Sequence, residues 1–345
     1  LRSSGLDAAL LSSPHALRFY TGFTGTNGAA VVRPGRAGFV TDPRYREQAA
    51  QEVRTMPVTV ADGSLWEEVS RLGLLKGCAK VGIEEEHTSV GTLRSLRRSL
   101  RGLRWSPADV VITGPLRHKD PVELAAVRRA VRISEQVLDE ILGLLRPGMR
   151  EREIGDEISR RHRLHGAEGD SFAPIVASGP RSALPHARAS ARRVRSGEPI
   201  LLDFGCVAGG YRSDITRTVA IGHAPPRLRT IHAAVLAAQD AAFAAVRPGA
   251  EARAVDAAAR EELRRRGLET HFVHSLGHGV GLRVHERPLL GVRSRDLLAE
   301  GDVITLEPGL YFPGFGGVRI EDDVLVTRGG VRRLTTATRD LTVIR

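Results

Sequence analysis

The sequence predicts two domains: an α/β domain over residues 1–116, then an α+β domain over residues 117–345 built from an internal pseudo-twofold repeat. Three observations carry that expectation. A chain of 345 residues is long enough for two cores, and 41% hydrophobic with 26% charged residues is the composition of a folded globular protein. Residues 1–116 alternate short apolar β-prone runs with helical patterns, and beyond Pro121 long helical faces take over. One motif then occurs twice. Gly197-Glu-Pro-Ile-Leu-Leu-Asp203-Phe-Gly205 reads like Gly301-Asp-Val-Ile-Thr-Leu-Glu307-Pro-Gly309, with an acid at the same place.

The first domain is expected to run as follows. Residues 8–11 form a strand, and residues 28–32 and 37–41 form a hairpin about Pro34-Gly35. Asp42-Pro43 opens a helix through residue 49, with proline in its first turn. A strand at 58–60, a helix at 65–75, a strand at 81–83, a helix at 89–100 and a strand at 109–112 complete it. Gly, Pro and charge concentrate at residues 113–121, which marks the domain boundary.

In the second domain Leu124, Val127, Val131, Leu138, Ile141, Leu142 and Leu145 recur at helical spacing. Ile231, Val235, Ala238, Ala242 and Val246 do the same from residue 227 to 246. The repeat reaches further than its acids. Arg146-Pro-Gly148 matches Arg247-Pro-Gly249, and Phe172 to Gly179 matches Phe272 to Gly279. Two β-prone runs flank Gly209-Gly210, a hairpin signal that returns Asp214 towards Asp203. Arg212-Ser-Asp214 is echoed by Arg319-Ile-Glu321, so Asp203, Asp214, Glu307 and Glu321 converge if the halves pack face to face.

Composition excludes several classes. Cys78 and Cys206 are the only cysteines, too few for a disulfide framework or a cysteine zinc cluster. No apolar run approaches the ~20 residues of a membrane span, and the first residues carry no signal-type apolar stretch, so the expected compartment is the cytoplasm. The formal charge of +11 suggests nucleic acid. However, 48 of the 51 basic residues are arginines spread along the chain, which points to genome composition, and 4% aromatic content offers no stacking platform. No nucleic-acid partner is expected. GxSxG, Walker A and catalytic-cysteine contexts are absent, so a nucleophilic side chain has no foothold.

His274-Ser-Leu-Gly-His278-Gly-Val-Gly-Leu-Arg-Val-His285 holds three histidines among spaced glycines. The glycines argue against a zinc-binding helix and for a strand ending in a tight loop that lets backbone approach a ligand. His186 lies in the matching region of the first repeat. Four carboxylates beside a neutral imidazole carry about −4, which two divalent cations balance. Oxygen-rich ligation with one nitrogen favours Mn2+, or Co2+ and Fe2+, over a cysteine-type zinc site. Two ions ~3.5–4 Å apart would ionise a water and polarise a carbonyl. The chemistry implied is hydrolysis.

With these residues in place the chain resembles the pita-bread metallopeptidases, in the branch of Xaa-Pro aminopeptidases and Xaa-Pro dipeptidases (prolidases). The likeness rests on Asp203, Asp214, His278, Glu307 and Glu321 in family order, and on Tyr20 to Gly28 and Phe39 to Tyr45, which look like the creatinase-type N-terminal domain. It implies a creatinase-like first domain and a pita-bread catalytic domain. It implies that Asp214 and Glu321 bridge two ions, that Asp203 completes one shell, and that His278 with Glu307 completes the other. Zn2+ then remains a possible metal beside Mn2+, Co2+ and Fe2+. The resemblance also implies Glu307 as proton shuttle, His186 and His285 on the scissile carbonyl, His274 in the proline pocket, and Arg319 orienting acidic ligands. A homodimer is implied, with the partner's N-terminal domain walling the site.

A dipeptidase must hold the proline's free carboxylate with a nearby cation, whereas an aminopeptidase leaves that path open. Arg44 and Arg46, on a strand-to-helix turn, are the clamp candidates, and arginine's planar fork suits a carboxylate. The expectation leans to Xaa-Pro dipeptides as substrates, with the aminopeptidase as alternative. Two remoter readings are a non-catalytic interaction protein on the same scaffold, which would have lost ligands, and a metal-free creatinase-type C–N hydrolase, which would not need the quartet.

Overall fold

A computed structural model of the chain describes residues 1 and 4–345. It divides into two units, Leu1–Leu116 and Arg117–Arg345.

In the first unit the run at residues 8–11 forms β1 (Ala8–Leu11), buried at every position. Ser13 then caps α1 (Pro14–Thr21) by accepting from the Ala16 N–H, with Pro14 in the first turn, where no N–H is needed. The expected hairpin forms as β2 (Gly28–Arg33) and β3 (Arg36–Thr41), joined by Pro34 and Gly35. Gly35 has φ 73°, which a side chain would strain. Asp42 caps a short 3-10 turn (Pro43–Tyr45) that leads into α2 (Arg46–Glu52). β4 (Val58–Val60), α3 (Leu65–Arg71), β5 (Lys80–Ile83) and α4 (Val90–Ser99) follow, α3 ending four residues before the expected helix does.

One expectation is overturned. Residues 109–112 are not a strand: α5 (Asp109–Thr113) occupies them, and the sheet's last strand is the unforeseen β6 (Arg104–Pro107). A β-branched run has no fixed period of its own, so the neighbours decide. The Asp109 carboxylate accepts from the Glu85 N–H at 2.8 Å, Val110 is 78% exposed, and the Val111 and Ile112 N–H groups turn back to the Ala108 carbonyl. The sheet order is β4-β3-β2-β1-β5-β6, antiparallel only across β3-β2-β1.

The second unit starts with α6 (Pro121–Leu144), whose Asp120 and Glu123 form a complete capping box, and α7 (Glu151–Leu164). β7 (Gly169–Asp170), β8 (Ile175–Ser178), β9 (Ile200–Phe204), β10 (Cys206–Ala208), β11 (Tyr211–Arg212) and β12 (Ile215–Ile221) complete the first half. The second half repeats the scheme with α8 (Pro226–Ala245), α9 (Ala252–Arg265), β13 (Gly277–Gly279), β14 (Glu286–Leu290), β15 (Val303–Leu306), β16 (Gly309–Phe312), β17 (Gly316–Arg319), β18 (Asp322–Thr327) and β19 (Gly330–Arg333). β20 (Val343–Ile344) returns to pair with β12.

The repeat is visible in the sheets. Antiparallel β8-β9-β12 in one half corresponds to antiparallel β13-β15-β18 in the other. Each half has its own apolar core: Val137, Ile141, Ile154, Ile158 and Leu202 in the first, Val235, Ala238, Val255, Leu263 and Ile304 in the second. The halves meet at an isolated bridge between Thr216 and Glu321, where the Glu321 N–H donates to the Thr216 carbonyl at 3.1 Å. The twin acidic motifs therefore face one another.

Candidate active site

The Gly209-Gly210 turn has φ of 61° and 80°, the two positive values that a two-residue type I′ hairpin requires. It folds β10 and β11 back, so that β9 and β12 pair with Asp203 opposite Thr216. Asp203 is thereby fixed in β9, and Asp214 sits one residue before β12. In the second half Glu307 directly follows β15 and Glu321 directly precedes β18. Glu307 is held by its own N–H on the Leu276 carbonyl at 2.9 Å.

His278 lies in the middle of β13, where glycine on either side is a packing necessity. A Cβ on Gly277 would come within 2.2 Å of the Thr305 carbonyl oxygen, and one on Gly279 within 2.3 Å of the Arg287 carbonyl oxygen. The His278 Nδ1–H points at the Gly279 carbonyl at 3.1 Å, which leaves the Nε2 lone pair for a ligand. That nitrogen is 3.4 Å from Glu307 Oε1 and 3.8 Å from Asp214 Oδ2. Ligand atoms of Asp214, His278 and Glu321 all lie within 4.8 Å of one another.

Asp203, Asp214, His278, Glu307, Glu321, His186, His274, His285 and Arg319 line one cavity of about 1140 Å3. Arg44 and Arg46 belong to the first unit. Arg44 is exposed and grips Asp42 through Nε to Oδ1 at 3.0 Å and Nη2 to Oδ2 at 2.8 Å, and Arg46 is an exposed residue opening α2.

The site's electrostatics call for cations. Burial, then repulsion from Glu321, Asp203, Asp323 and Glu307, holds the Asp214 carboxyl well above its ordinary value. Burial and the charges of Glu307 and Asp203 do the same to Glu321. Burial raises Asp203 despite Arg319, and lifts Glu307 to about 8. Burial and the neighbouring His285 push His278 down to about 3, so its imidazole is neutral and able to ligate. Asp203 Oδ1 and Asp214 Oδ1 are buried without any hydrogen-bond partner among the described residues. Acceptor oxygens left bare beside a neutral imidazole fit divalent metal ions.

Some functional side chains carried no signal in the sequence. The Tyr311 hydroxyl accepts from Arg319 Nη1 at 2.8 Å and donates to His274 Nε2 at 2.8 Å, while the His274 Nδ1–H donates to the Ser275 carbonyl at 2.7 Å. Arg319 also donates from Nη2 to Asp203 and from Nε to Thr216 Oγ1. Thr216 Oγ1 in turn donates to Glu321 Oε2 at 2.5 Å. Its twin Arg212 has a different task, donating to the Leu282 carbonyl. Buried Glu151 anchors both ends of the segment carrying His186, accepting from the Ser178 N–H at 2.8 Å and from Ser190 Oγ at 2.6 Å. Glu151 is the first residue of α7, and an acidic helix start alone does not reveal this use.

Comparison with known proteins agrees with this geometry. Residues 125–328 match the model of metallopeptidase family M24, and residues 1–114 match the creatinase/prolidase N-terminal domain. The chain is 37% identical to an uncharacterized peptidase, YqhT, of Bacillus subtilis, covering 99% of this chain and 96% of that one. It is 33% identical to an Xaa-Pro dipeptidase of Pyrococcus furiosus, covering 98% and 96%. Among solved structures it is similar to an Xaa-Pro dipeptidase from Bacillus anthracis, with TM-score 0.95, 36% identity and coverage of 99% and 96%. It is also similar to an X-Pro aminopeptidase from Thermotoga maritima, with TM-score 0.91, 34% identity and full coverage of both chains. The duplicated scaffold, the converging acids and these matches place the chain in metallopeptidase family M24, as a peptidase of its pita-bread prolidase branch.

Proposed function

We propose that the protein hydrolyses the peptide bond preceding proline and acts first on Xaa-Pro dipeptides. The observation that carries this reading is the buried carboxylate quartet with two bare oxygens beside a neutral His278. Two divalent ions held by Asp203, Asp214, His278, Glu307 and Glu321, with Mn2+ before Co2+, Fe2+ or Zn2+, would supply Lewis acidity towards the scissile carbonyl and an acidified water.

The chain's own residues supply the rest. Glu307, whose Oε1 lies 3.4 Å from His278 Nε2 on the cavity wall, is placed to take a proton from water and pass it to the leaving nitrogen. His186 and His285 line the same cavity, and burial lowers His285, leaving a neutral imidazole with one N–H for the carbonyl oxygen. Both His274 nitrogens are spent on Ser275 and Tyr311, so it offers the substrate a ring face, suited to proline. Arg319 fixes the orientation of Asp203. For the free carboxylate, Arg152 and Arg188 are cations on the cavity wall within the same unit. The assembly proposed is a homodimer, as the family resemblance implies.

One observation favours a second reading, an aminopeptidase acting on longer peptides. The cavity exceeds the ~300–1,000 Å3 that encloses a drug-sized ligand, so it has room beyond a dipeptide. Steady-state hydrolysis of matched Ala-Pro and Ala-Pro-Ala peptides by chelated enzyme reloaded with single metals decides, with Asp214→Ala as control. A dipeptide preference of about tenfold supports the first reading, and comparable rates move it to the second. No cleavage with any metal overturns both.

A further inference from the structure

Helix α7 turns Arg152, Gly155, Asp156 and Ser159 towards the cavity at i, i+3, i+4 and i+7 spacing, and Asp170, the last residue of β7, joins them. Asp170 is held by two side chains. Its Oδ1 accepts from His162 Nδ1 at 2.7 Å, and its Oδ2 accepts from Ser159 Oγ at 2.6 Å. His162 is fully buried, its ring 5.6 Å from that of Phe204, and its Nε2 has no partner among the described residues. Burying an imidazole with one nitrogen unsatisfied costs stability. The backbone does not require that cost, because β7 is already paired through Asp170 with Cys206 and Gly169 with Val207. What the arrangement accomplishes is to aim one carboxylate.

Burial acts to raise the Asp170 carboxyl, but the hydrogen bonds from His162 and Ser159, with the charges of His162 and Arg163, outweigh it and leave the group below its ordinary value. A carboxylate offers about four lone-pair positions, and two are taken. Among the described residues no arginine is seated on Asp170, and Arg163 acts on it through its charge alone. Arg152 and Arg188 line the wall, Arg163 donates to the Ser159 carbonyl, and no ion pair joins any of them to Asp170 among the described residues. Asp170 lines the same cavity as Asp203 and Asp214. Its neighbour Ser171 donates from N–H to the Gly205 carbonyl and from Oγ to the Ser213 carbonyl, the segments that carry Asp203 and Asp214.

Resting on the Xaa-Pro reading, we propose that Asp170, oriented by His162 and Ser159, is a specificity-determining residue that recognises a lysine or arginine side chain of the peptide substrate. The basic residue stands on one side of the proline, and paired peptides show which. Metal-loaded enzyme is assayed on Lys-Pro against Met-Pro, which are nearly isosteric, and on Ala-Pro-Lys against Ala-Pro-Met. The basic member of one pair is expected to have a kcat/KM about fivefold to tenfold higher, mainly through KM. The preference is expected to shrink with added salt and to collapse in Asp170→Asn, which keeps the size of the side chain, its Oδ1 accepting from His162 and its Nδ2 donating to Ser159 Oγ. Ser159→Ala is expected to reduce it part of the way. Equal rates within both pairs, or a preference that Asp170→Asn retains, overturns the proposal while leaving Xaa-Pro hydrolysis standing. Absence of cleavage of every peptide overturns the Xaa-Pro reading, and this proposal with it.

Discussion

Arg319 is 3% exposed and donates to Asp203, Thr216, Tyr311 and the Pro185 carbonyl, so one guanidinium ties a cavity carboxylate to the segment carrying His186. Its fork cannot be replaced by a lysine's single ammonium. Tyr311 completes the arrangement, since its hydroxyl is both the acceptor for Arg319 and the donor for His274. Tyr311→Phe is therefore expected to lower kcat or metal affinity by about 10- to 100-fold while the protein stays folded. Isothermal metal titration and steady-state kinetics check it, and an unchanged enzyme would show that the hydroxyl positions nothing. The acids and histidines were legible because their types and twin spacing announce metal chemistry. Tyr311 was not, because Gly309-Leu-Tyr-Phe312 reads only as an apolar strand, and its partners lie on other elements. His162 and Asp170 were silent for the same reason: a lone histidine on a helix says nothing of the strand it will meet.

At the scale of elements, the segment from Gly281 to Glu286 delivers His285 and is pinned from several sides. Arg212 donates from its N–H to the Gly281 carbonyl at 2.9 Å and from its guanidinium to the Leu282 carbonyl. Lys119 closes the other end on Glu286, with side chains 1% and 8% exposed. Lys119 is one of three lysines in a chain with 48 arginines, and a Cβ on Gly281 would already approach the Glu286 carboxylate within 2.4 Å, so space there is short. Lys119→Met leaves Glu286 buried and unpaired, which is expected to cost about 3–5 kcal/mol in urea unfolding. Adding Glu286→Gln should recover most of that loss, and a double variant as unstable as the single one would refute the pairing argument. The helices and the repeat were readable because their periodicity is local. The α5 segment was misread because Asp109 finds its partners on Glu85 and Glu86, a contact that composition does not announce.

At the scale of the whole molecule, the chain carries a formal net charge of +11, yet one cavity of the second unit gathers Asp203, Asp214, Glu307 and Glu321. Without ions the folded chain must keep protons on these groups that the unfolded chain has already lost. Glu307, lifted to about 8 from an ordinary 4.5, is the clearest instance, and Asp203, Asp214 and Glu321 move in the same direction. A raised carboxyl contributes stability in full below its unfolded value and loses it as pH climbs through its folded value. Histidines lowered by burial, His278 to about 3 and His274 to about 4, act in the opposite sense but only up to about pH 6.5, where the unfolded imidazole has given up its proton. Between about pH 6.5 and 8 the carboxyls alone decide. Chelated protein is thus expected to lose stability across that window, with Glu307 alone contributing on the order of 1–2 kcal/mol. Metal-loaded protein is expected to stay level, because bound cations hold the same carboxylates ionised. Thermal unfolding of both forms at several pH values checks this. The gap in Tm should widen with pH, and a constant gap would mean that the quartet is not where the ions bind.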